Sequence, residues 1–278
     1  MPRLPITDRP IRAFVCDIDG CLSQGSTHAF RADVLAALRR ANQLSRTDPA
    51  WPAITFCTGR TMPYVECLVQ ATDGRLPAIC ENGTVMFEPT RYEVTLHAGL
   101  GDVENEALRE MRGLIDARLM LPGVQHEHGK GTHFTLVTRP PATPDHIVAT
   151  ARELAAGFDG LFIVEPTRTC VHLTFRHLHK GTGIEWLAEA TGIDPEEMAG
   201  IGDARPDLPF LARVGIACAP GNAHPDVRAA CHWHSDAHDG GAALEFLDRI
   251  VARNRALLGS GPAENDAAGA MASPAGVA

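Results

Sequence analysis

The stretch at residues 13–22, AFVCDIDGCL, constrains the fold more than any other part of the chain. An apolar run over residues 11–16 delivers two carboxylates, Asp17 and Asp19, and breaks at Gly20, the pattern of a buried strand that ends at a site. In α/β proteins ligands gather at such strand ends. Two aspartates one residue apart on extended chain point to opposite sides, so each is free to do different work. Asp and Gly are also common turn residues, and the decapeptide taken alone reads equally well as a surface turn.

The same pattern recurs three times. Residues 51–57 form a second apolar run that stops at Thr58, Gly59 and Arg60; residues 78–80 stop at Glu81, Asn82 and Gly83; residues 198–201 stop at Gly202 and Asp203, with Asp207 four positions on. Between the first two runs, residues 30–44 carry Val34, Leu35, Leu38 and Ala41 at helical spacing. Strand, helix and strand in that order predict a parallel βαβ unit with both strand ends on one edge. Thr58, Gly59 and the helix start near Pro63 suit an anion, and they equally suit an ordinary Thr-capped turn. Asn82 and Gly83 are a plain turn signal. Lys180 precedes a predicted helix with Ile184, Leu187 and Ala188 inward and Gly192 at its end. A cation is unwelcome at a helix N-terminus unless an anion joins it, although most lysines are simply solvated. Pro206 fits a helical first turn over residues 207–212, which gives Asp207 an alternative as a helix-start charge. A strand over 214–219, the loop PGNAHPD, a helix to Cys231, a short strand at Trp233, the turn DAHDGG and a helix to Leu258 complete this part.

From Val85 the character changes. Residues 92–97 alternate like a half-exposed strand, residues 103–119 and 144–157 read as helices, and residues 133–138, 161–164 and 171–175 as strands. Such strands predict an antiparallel sheet with one polar face. The predicted organisation is a discontinuous Rossmann-like α/β unit with a parallel sheet, residues 1–87 and 179–258, interrupted by a smaller α+β unit, residues 88–178. Residues 259–278 have no apolar periodicity and are expected to be disordered.

Composition narrows the function. A net charge of −9 opposes sequence-independent attraction to nucleic acid or anionic lipid. No apolar run approaches the roughly 20 residues that span a bilayer, and the first ten residues lack a signal peptide's apolar core. A cytoplasmic protein acting on a small molecule, as a monomer or homodimer, is expected. The eight cysteines form no CxxC pair and read as small buried thiols. His126, His128 and His133, or His232, His234 and His238, lack the spacing of a zinc site.

Taken together, the strand ends present Asp17, Asp19, Thr58, Asp203 and Asp207, with Lys180 from a helix start. Carboxylates gathered in one place repel unless a cation joins them, and a hard ion such as Mg²⁺ is the natural one. Mg²⁺ with Lys and Thr would make a site for a phosphoryl group; a carboxylate can be the nucleophile and a second one the general acid and base.

DIDGCL at Asp17, TGR at Thr58, KGTG at Lys180 and GDARPD at Asp203, in that order, resemble the haloacid dehalogenase superfamily of phosphohydrolases. The resemblance implies that Asp17 is the nucleophile and that Asp19 protonates the leaving oxygen and then activates water. It implies that Thr58, Gly59 and Lys180 hold the phosphoryl oxygens. Mg²⁺ would be bound by Asp17, the Asp19 backbone carbonyl and Asp203, with Asp207 at the metal or just behind it. Asn222, in GNA, resembles the loop that follows in these proteins and is counted with the phosphate site. Two positions depart from the family's pattern: Cys21 stands where Thr is usual, and Pro206 where Asn is common. Weaker support of the site with activity retained is expected.

The gap from Gly20 to Thr58 is 38 positions, whereas Arg60 to Lys180 spans 120, so the insert follows the second motif. That placement is similar to the phosphatases of phosphoglycolate, sucrose phosphate, mannosylphosphoglycerate and the Cof type, and unlike the mutases capped after the first motif. The resemblance implies a cap that closes over the leaving group, for which His126, His128, Lys130, Arg168, His172 and Arg176 are the cationic candidates. Phosphoglycolate or a related phosphorylated acid is the expected substrate, ahead of a sugar phosphate; a catalytically silent protein that binds a phosphorylated metabolite is the competing class.

Overall fold

The computed structural model describes residues 6–25, 28–167 and 169–259. The expected disordered tail therefore lies, beyond Gly259, outside the described residues. Strand β1 (Ala13–Cys16) sits between β2 (Ala53–Phe56) and β10 (Met198–Ile201), and β11 (Ile216–Ala219) and β12 (Trp233–His234) extend the sheet to the order β12-β11-β10-β1-β2. All its pairs are parallel, and Cys16 lies opposite both Phe56 and Ile201. The residues that follow these three strands therefore emerge together on one edge.

Strand alternation divides the core between the two faces of this sheet. Phe14 and Cys16 join Leu38 of α1 (Ala32–Leu44), Val65 of α2 (Met62–Ala71) and Phe246 of α8 (Asp239–Leu258). Ala13 and Val15 face the other way, onto Ile184 of α5 (Lys180–Thr191), Phe210 of α6 (Leu208–Leu211) and Val227 of α7 (Pro225–Ala230). Both layers are built from i, i+3 and i+4 apolar spacing, as in Val34, Leu38 and Ala41 of α1. The expected turn DAHDGG is half helix: α8 begins at Asp239, and a Cβ on Gly240 would lie 2.5 Å from Val34, so glycine lets α8 approach α1.

A second sheet is antiparallel: β3 (Ala78–Cys80), β4 (Val85–Glu88) and β5 (Glu93–Leu96), bridged to the first through Cys57 and Ile79. The alternating strand at β5 thus hydrogen-bonds to β4, although its sequence position falls within the expected insert. The third sheet, β6 (Val124–His126), β7 (Phe134–Thr138), β9 (Cys170–Phe175) and β8 (Phe162–Pro166), is antiparallel throughout. Phe134, Leu136, Val171, Leu173 and Phe175 pack on α3 (Asp102–Arg118) and α4 (Pro144–Ala156) around Met111, Ile115, Ile147 and Ala151, a third apolar cluster. Its opposite face carries Thr135, Glu165, His172 and Thr174; register places His172 beside both Thr135 and Glu165. No helix among the described residues is long and apolar enough to cross a membrane.

Two buried asparagines tie helices to the N-terminal ends of the central strands. Asn254 of α8 accepts from the Ile11 amide (2.8 Å) and donates to the Ile11 and Ala50 carbonyls (2.7 and 3.1 Å). Asn42 of α1 accepts from the Ile54 amide (2.7 Å) and donates to the Thr72 carbonyl (2.9 Å). Leaving one buried backbone group unpaired costs roughly 1–3 kcal/mol. Asn254→Leu should therefore lower the urea midpoint by several times that of an exposed Gln125→Leu control; equal midpoints would show that the clamp carries no stability.

Candidate active site

Asp17 directly follows β1, and its amide donates to the Ile201 carbonyl (3.0 Å). The chain then turns at Gly20 (φ +84), where a Cβ would fall 2.3 Å from Asp203 Oδ2; only glycine admits both the backbone conformation and that approach. Asn222 donates to the Gly20 carbonyl (2.8 Å) and accepts from the Asp239 amide (3.0 Å), so it supports this turn from behind and does not line the cavity.

Lys180 opens α5 and is 4% exposed. The anomaly of a cation at a helix start is resolved by two carboxylates: its Nζ lies 2.7 Å from Asp17 Oδ1 and 2.5 Å from Asp207 Oδ1. Burial alone would lower the lysine's pKa, and Asp17 and Asp207 outweigh it and hold it well above the ordinary value. The second Asp207 oxygen accepts from the Asp203 and Ala204 amides (3.0 and 2.9 Å), which fixes the loop after β10. Asp207 is thus fully occupied behind the acidic group. Pro206 lies in a 3-10 turn, Arg205–Asp207, where a missing N–H is tolerated.

Oxygens of Asp17 and Asp203 and the Cys21 sulfur lie within 4.8 Å of one another. Burial pushes Asp17 up to about 7 against the pull of Lys180, with Asp207 and Asp19 adding repulsion. Burial, with Asp207 and Asp17, pushes Asp203 up to about 8. Carboxyls so far above their ordinary range lack compensating charge, and two converging oxygen donors in that state fit a divalent cation. Cys21 is fully buried, its Sγ 4.0 Å from Asp203 Oδ1, and burial beside these carboxylates keeps it a neutral thiol.

Asp19 is more open, with its side chain 38% exposed, and Arg60 grips it with two nitrogens, Nε to Oδ2 at 2.6 Å and Nη2 to Oδ1 at 2.7 Å. Thr58 is buried; its amide donates to the Ile79 carbonyl (3.0 Å) and its hydroxyl accepts from the Arg60 amide (3.2 Å).

These groups floor a cavity of about 210 Å³ lined by Asp17, Asp19, Thr58, Gly59, Lys180, Asp203 and Asp207, with Lys130, Glu165, His172 and Thr174 above. The polar face of the third sheet is therefore a roof. Lys130 Nζ donates to Thr135 Oγ1 (3.0 Å) and pairs with Glu127 Oε2 (2.8 Å). His172 Nδ1 meets the same hydroxyl (3.0 Å), and burial lowers its pKa to about 4, so it is a neutral ring and not a cation. Of the expected cationic residues, Lys130 and His172 reach the cavity. His128 is exposed and away from it, Arg176 donates to the Gly160 carbonyl (2.9 Å), His126 pairs with Asp116 (2.7 Å), and Arg168 lies outside the described residues. Glu165, Thr174, Glu127 and Asn82 were not anticipated. Glu165 and Thr174 share the period-2 polar positions of His172, a signal present in the sequence. Glu81, at the end of the third apolar run, accepts from the Gly131 and Thr132 amides (3.0 and 2.9 Å) and the Thr132 hydroxyl (2.7 Å), fastening the Lys130 loop to the floor.

A family model described as haloacid dehalogenase-like hydrolase matches residues 134–247. A phosphoglycolate phosphatase of Methanothrix thermoacetophila is 35% identical over 87% of this chain and 98% of its own. That of Methanopyrus kandleri is 26% identical over 85% and 96%. Among solved structures, a Thermoplasma acidophilum protein superposes with a TM-score of 0.67 at 19% identity, covering 87% of this chain and 99% of its own. The sucrose-phosphatase of Synechocystis, solved with sucrose and phosphate, gives 0.62 at 14%, covering 87% and 98%.

The raised Asp203 carboxyl has a consequence for stability. An unfolded chain gives up this proton near pH 3.8, whereas the folded carboxyl keeps it to about pH 8, so stability falls as pH rises through that window. In chelator-treated protein, Asp203→Asn should gain melting temperature over the wild type between about pH 5 and about pH 8. A difference that stays constant with pH would count against the shift.

Proposed function

The chain belongs to the haloacid dehalogenase family and is one of its phosphatases, and from that premise we propose that it is a Mg²⁺-dependent phosphomonoesterase acting through an aspartyl-phosphate. The observation that carries this reading is Asp17, buried against Lys180, beside a second aspartate held by Arg60, on the floor of one small cavity. We read residues 1–87 and 179–258 as the core and 88–178 as the cap, in a cytoplasmic enzyme.

In this reading an Asp17 oxygen attacks phosphorus and forms a P–O bond, while the ester P–O bond breaks and Asp19 gives its proton to the departing oxygen. Water then attacks the same phosphorus, Asp19 takes its proton, and Asp17 is released with inorganic phosphate. Lys180, the Thr58 hydroxyl and the Gly59 backbone hold the phosphoryl oxygens. Asp17 and Asp203, with the Asp19 backbone carbonyl, would hold Mg²⁺, and Asp207 supports Lys180 behind them. The bound ion supplies positive charge against the anionic phosphoryl group and carboxylates. The roof keeps water from the site while the leaving group occupies it.

A small phosphorylated acid, phosphoglycolate first, is the substrate class we favour. The relatives' names support it, and so does the volume: about 210 Å³ is below the roughly 300–1,000 Å³ of pockets for drug-sized ligands. Lys130 offers a cation on the roof for a carboxylate, and the neutral His172 does not.

Hydrolysis of p-nitrophenyl phosphate should require Mg²⁺, vanish with EDTA and fall by about a thousandfold or more in Asp17→Asn. Substantial turnover by that variant would overturn the nucleophile assignment. Lys130→Met should raise KM for phosphoglycolate by about 10–100-fold, the worth of a hydrogen bond to a charged group, and leave KM for the aryl ester within a factor of a few. Equal effects on both esters, or a higher kcat/KM for hexose phosphates, would move the substrate class to sugar phosphates.

A further inference from the structure

Glu127 follows β6, and its amide donates to the Thr135 carbonyl (2.8 Å), so the backbone fixes its place in the roof. Its two oxygens serve two cations. Oε2 lies 2.8 Å from Lys130 Nζ, and Oε1 lies 3.6 Å from Arg60 Nη1. Arg60 spends its other two nitrogens on Asp19 and lies over the Tyr64 ring, 4.9 Å from its centroid. Charges thus alternate without a break from floor to roof: Asp19, Arg60, Glu127, Lys130. Glu127 has no part in the reaction described above and Arg60 enters it only by holding Asp19, yet their side chains are only 27% and 15% exposed, which is costly for ions that do nothing.

We propose that Glu127 is a positioning residue that sets Asp19 through Arg60 and Lys130 directly, so that one carboxylate governs both the proton-transfer group of the floor and the cation of the roof. Two nitrogens on Asp19 leave the guanidinium an axis to turn about, and the Glu127 carboxylate near its third nitrogen adds to the restraint that the Tyr64 ring gives. The same carboxylate holds the Lys130 ammonium in line with Thr135. Glu81, which fastens residues 131 and 132 to the floor, keeps Glu127 within reach of Arg60. The catalytic half of the proposal rests on the phosphatase reading; the hold on Arg60 does not.

The test combines kinetics with a measurement that needs no turnover. With p-nitrophenyl phosphate, whose leaving group offers Lys130 no carboxylate, Glu127→Ala should lose about tenfold in kcat with KM within about twofold, measured at a temperature where the variant remains folded. Because the loss passes through Arg60, the Arg60→Ala, Glu127→Ala double variant should be no slower than Arg60→Ala alone. Multiplicative losses, or an unchanged kcat in Glu127→Ala, would overturn the proposal. In metal-free protein labelled with ¹⁵N-arginine, the Arg60 Nε–H should be protected from exchange in the wild type and exchange at least tenfold faster in Glu127→Ala. Unchanged protection would also overturn it. Failure of the wild type to hydrolyse any phosphate ester would sink the phosphatase reading and leave the exchange measurement to decide whether Glu127 holds Arg60.

Discussion

One buried ammonium organises the floor of this site. Lys180 is shared by Asp17 and Asp207, and Asp207 passes the constraint on through its second oxygen to the amides of Asp203 and Ala204. The end of β1, the start of α5 and the loop after β10 are thereby locked to a single charge. Buried ion pairs seldom add net stability, because desolvation offsets their attraction. Their value here is placement: burial and mutual repulsion outweigh the pull of one cation on the carboxyls around it, and Asp17 and Asp203 hold their protons to about 7 and about 8 as a result. A floor in that state favours a divalent ion together with an anionic substrate.

The parallel register converts distant sequence into one edge. Cys16, Phe56 and Ile201 lie level, so chain from positions 17, 57 and 202 onward meets without any loop having to reach. The roof uses the complementary periodicity. In β7, β8 and β9 the apolar positions are consumed by α3 and α4, and the intervening positions, Thr135, Glu165, His172 and Thr174, have only the floor to face. The cavity is therefore the space between a parallel edge and an antiparallel face, and its small size follows from two fastenings across it, Glu81 to the 131–132 amides and Glu127 to Arg60.

What could be read from the sequence is what local chemistry encodes. Apolar runs that stop at Asp, Thr, Glu or Gly mark β1, β2, β3 and β10, and period-3.6 stripes mark α1, α3, α4 and α5. β6 escaped because three residues with one apolar side chain have no period, whereas β4 carries an apolar run, residues 85–87, that follows directly on the Asn-Gly turn. The partner of β5 was not encoded locally at all; its four residues are exposed, and only its pairing with β4 places it. The cationic residues of the insert were read by charge, and charge does not say which way a strand faces: Arg176 lies beyond the end of β9 and turns to Gly160, whereas His172, inside β9, faces the cavity. Asn222 has the right neighbourhood and a different task, because its amide is spent on Gly20 and Asp239.

The two departures from the family's motifs act unequally. Pro206 occupies the first turn of a 3-10 segment, where it needs no N–H, and Asp207 makes its full set of contacts regardless. Cys21 is different. A hydroxyl at a hydrogen-bonding distance from Asp203 would stabilise the carboxylate form, whereas a thiol is a weak donor and here stands 4.0 Å away. Asp203 is left with burial, then repulsion from Asp207 and Asp17, and little hydrogen bonding to set against them, in keeping with its raised pKa.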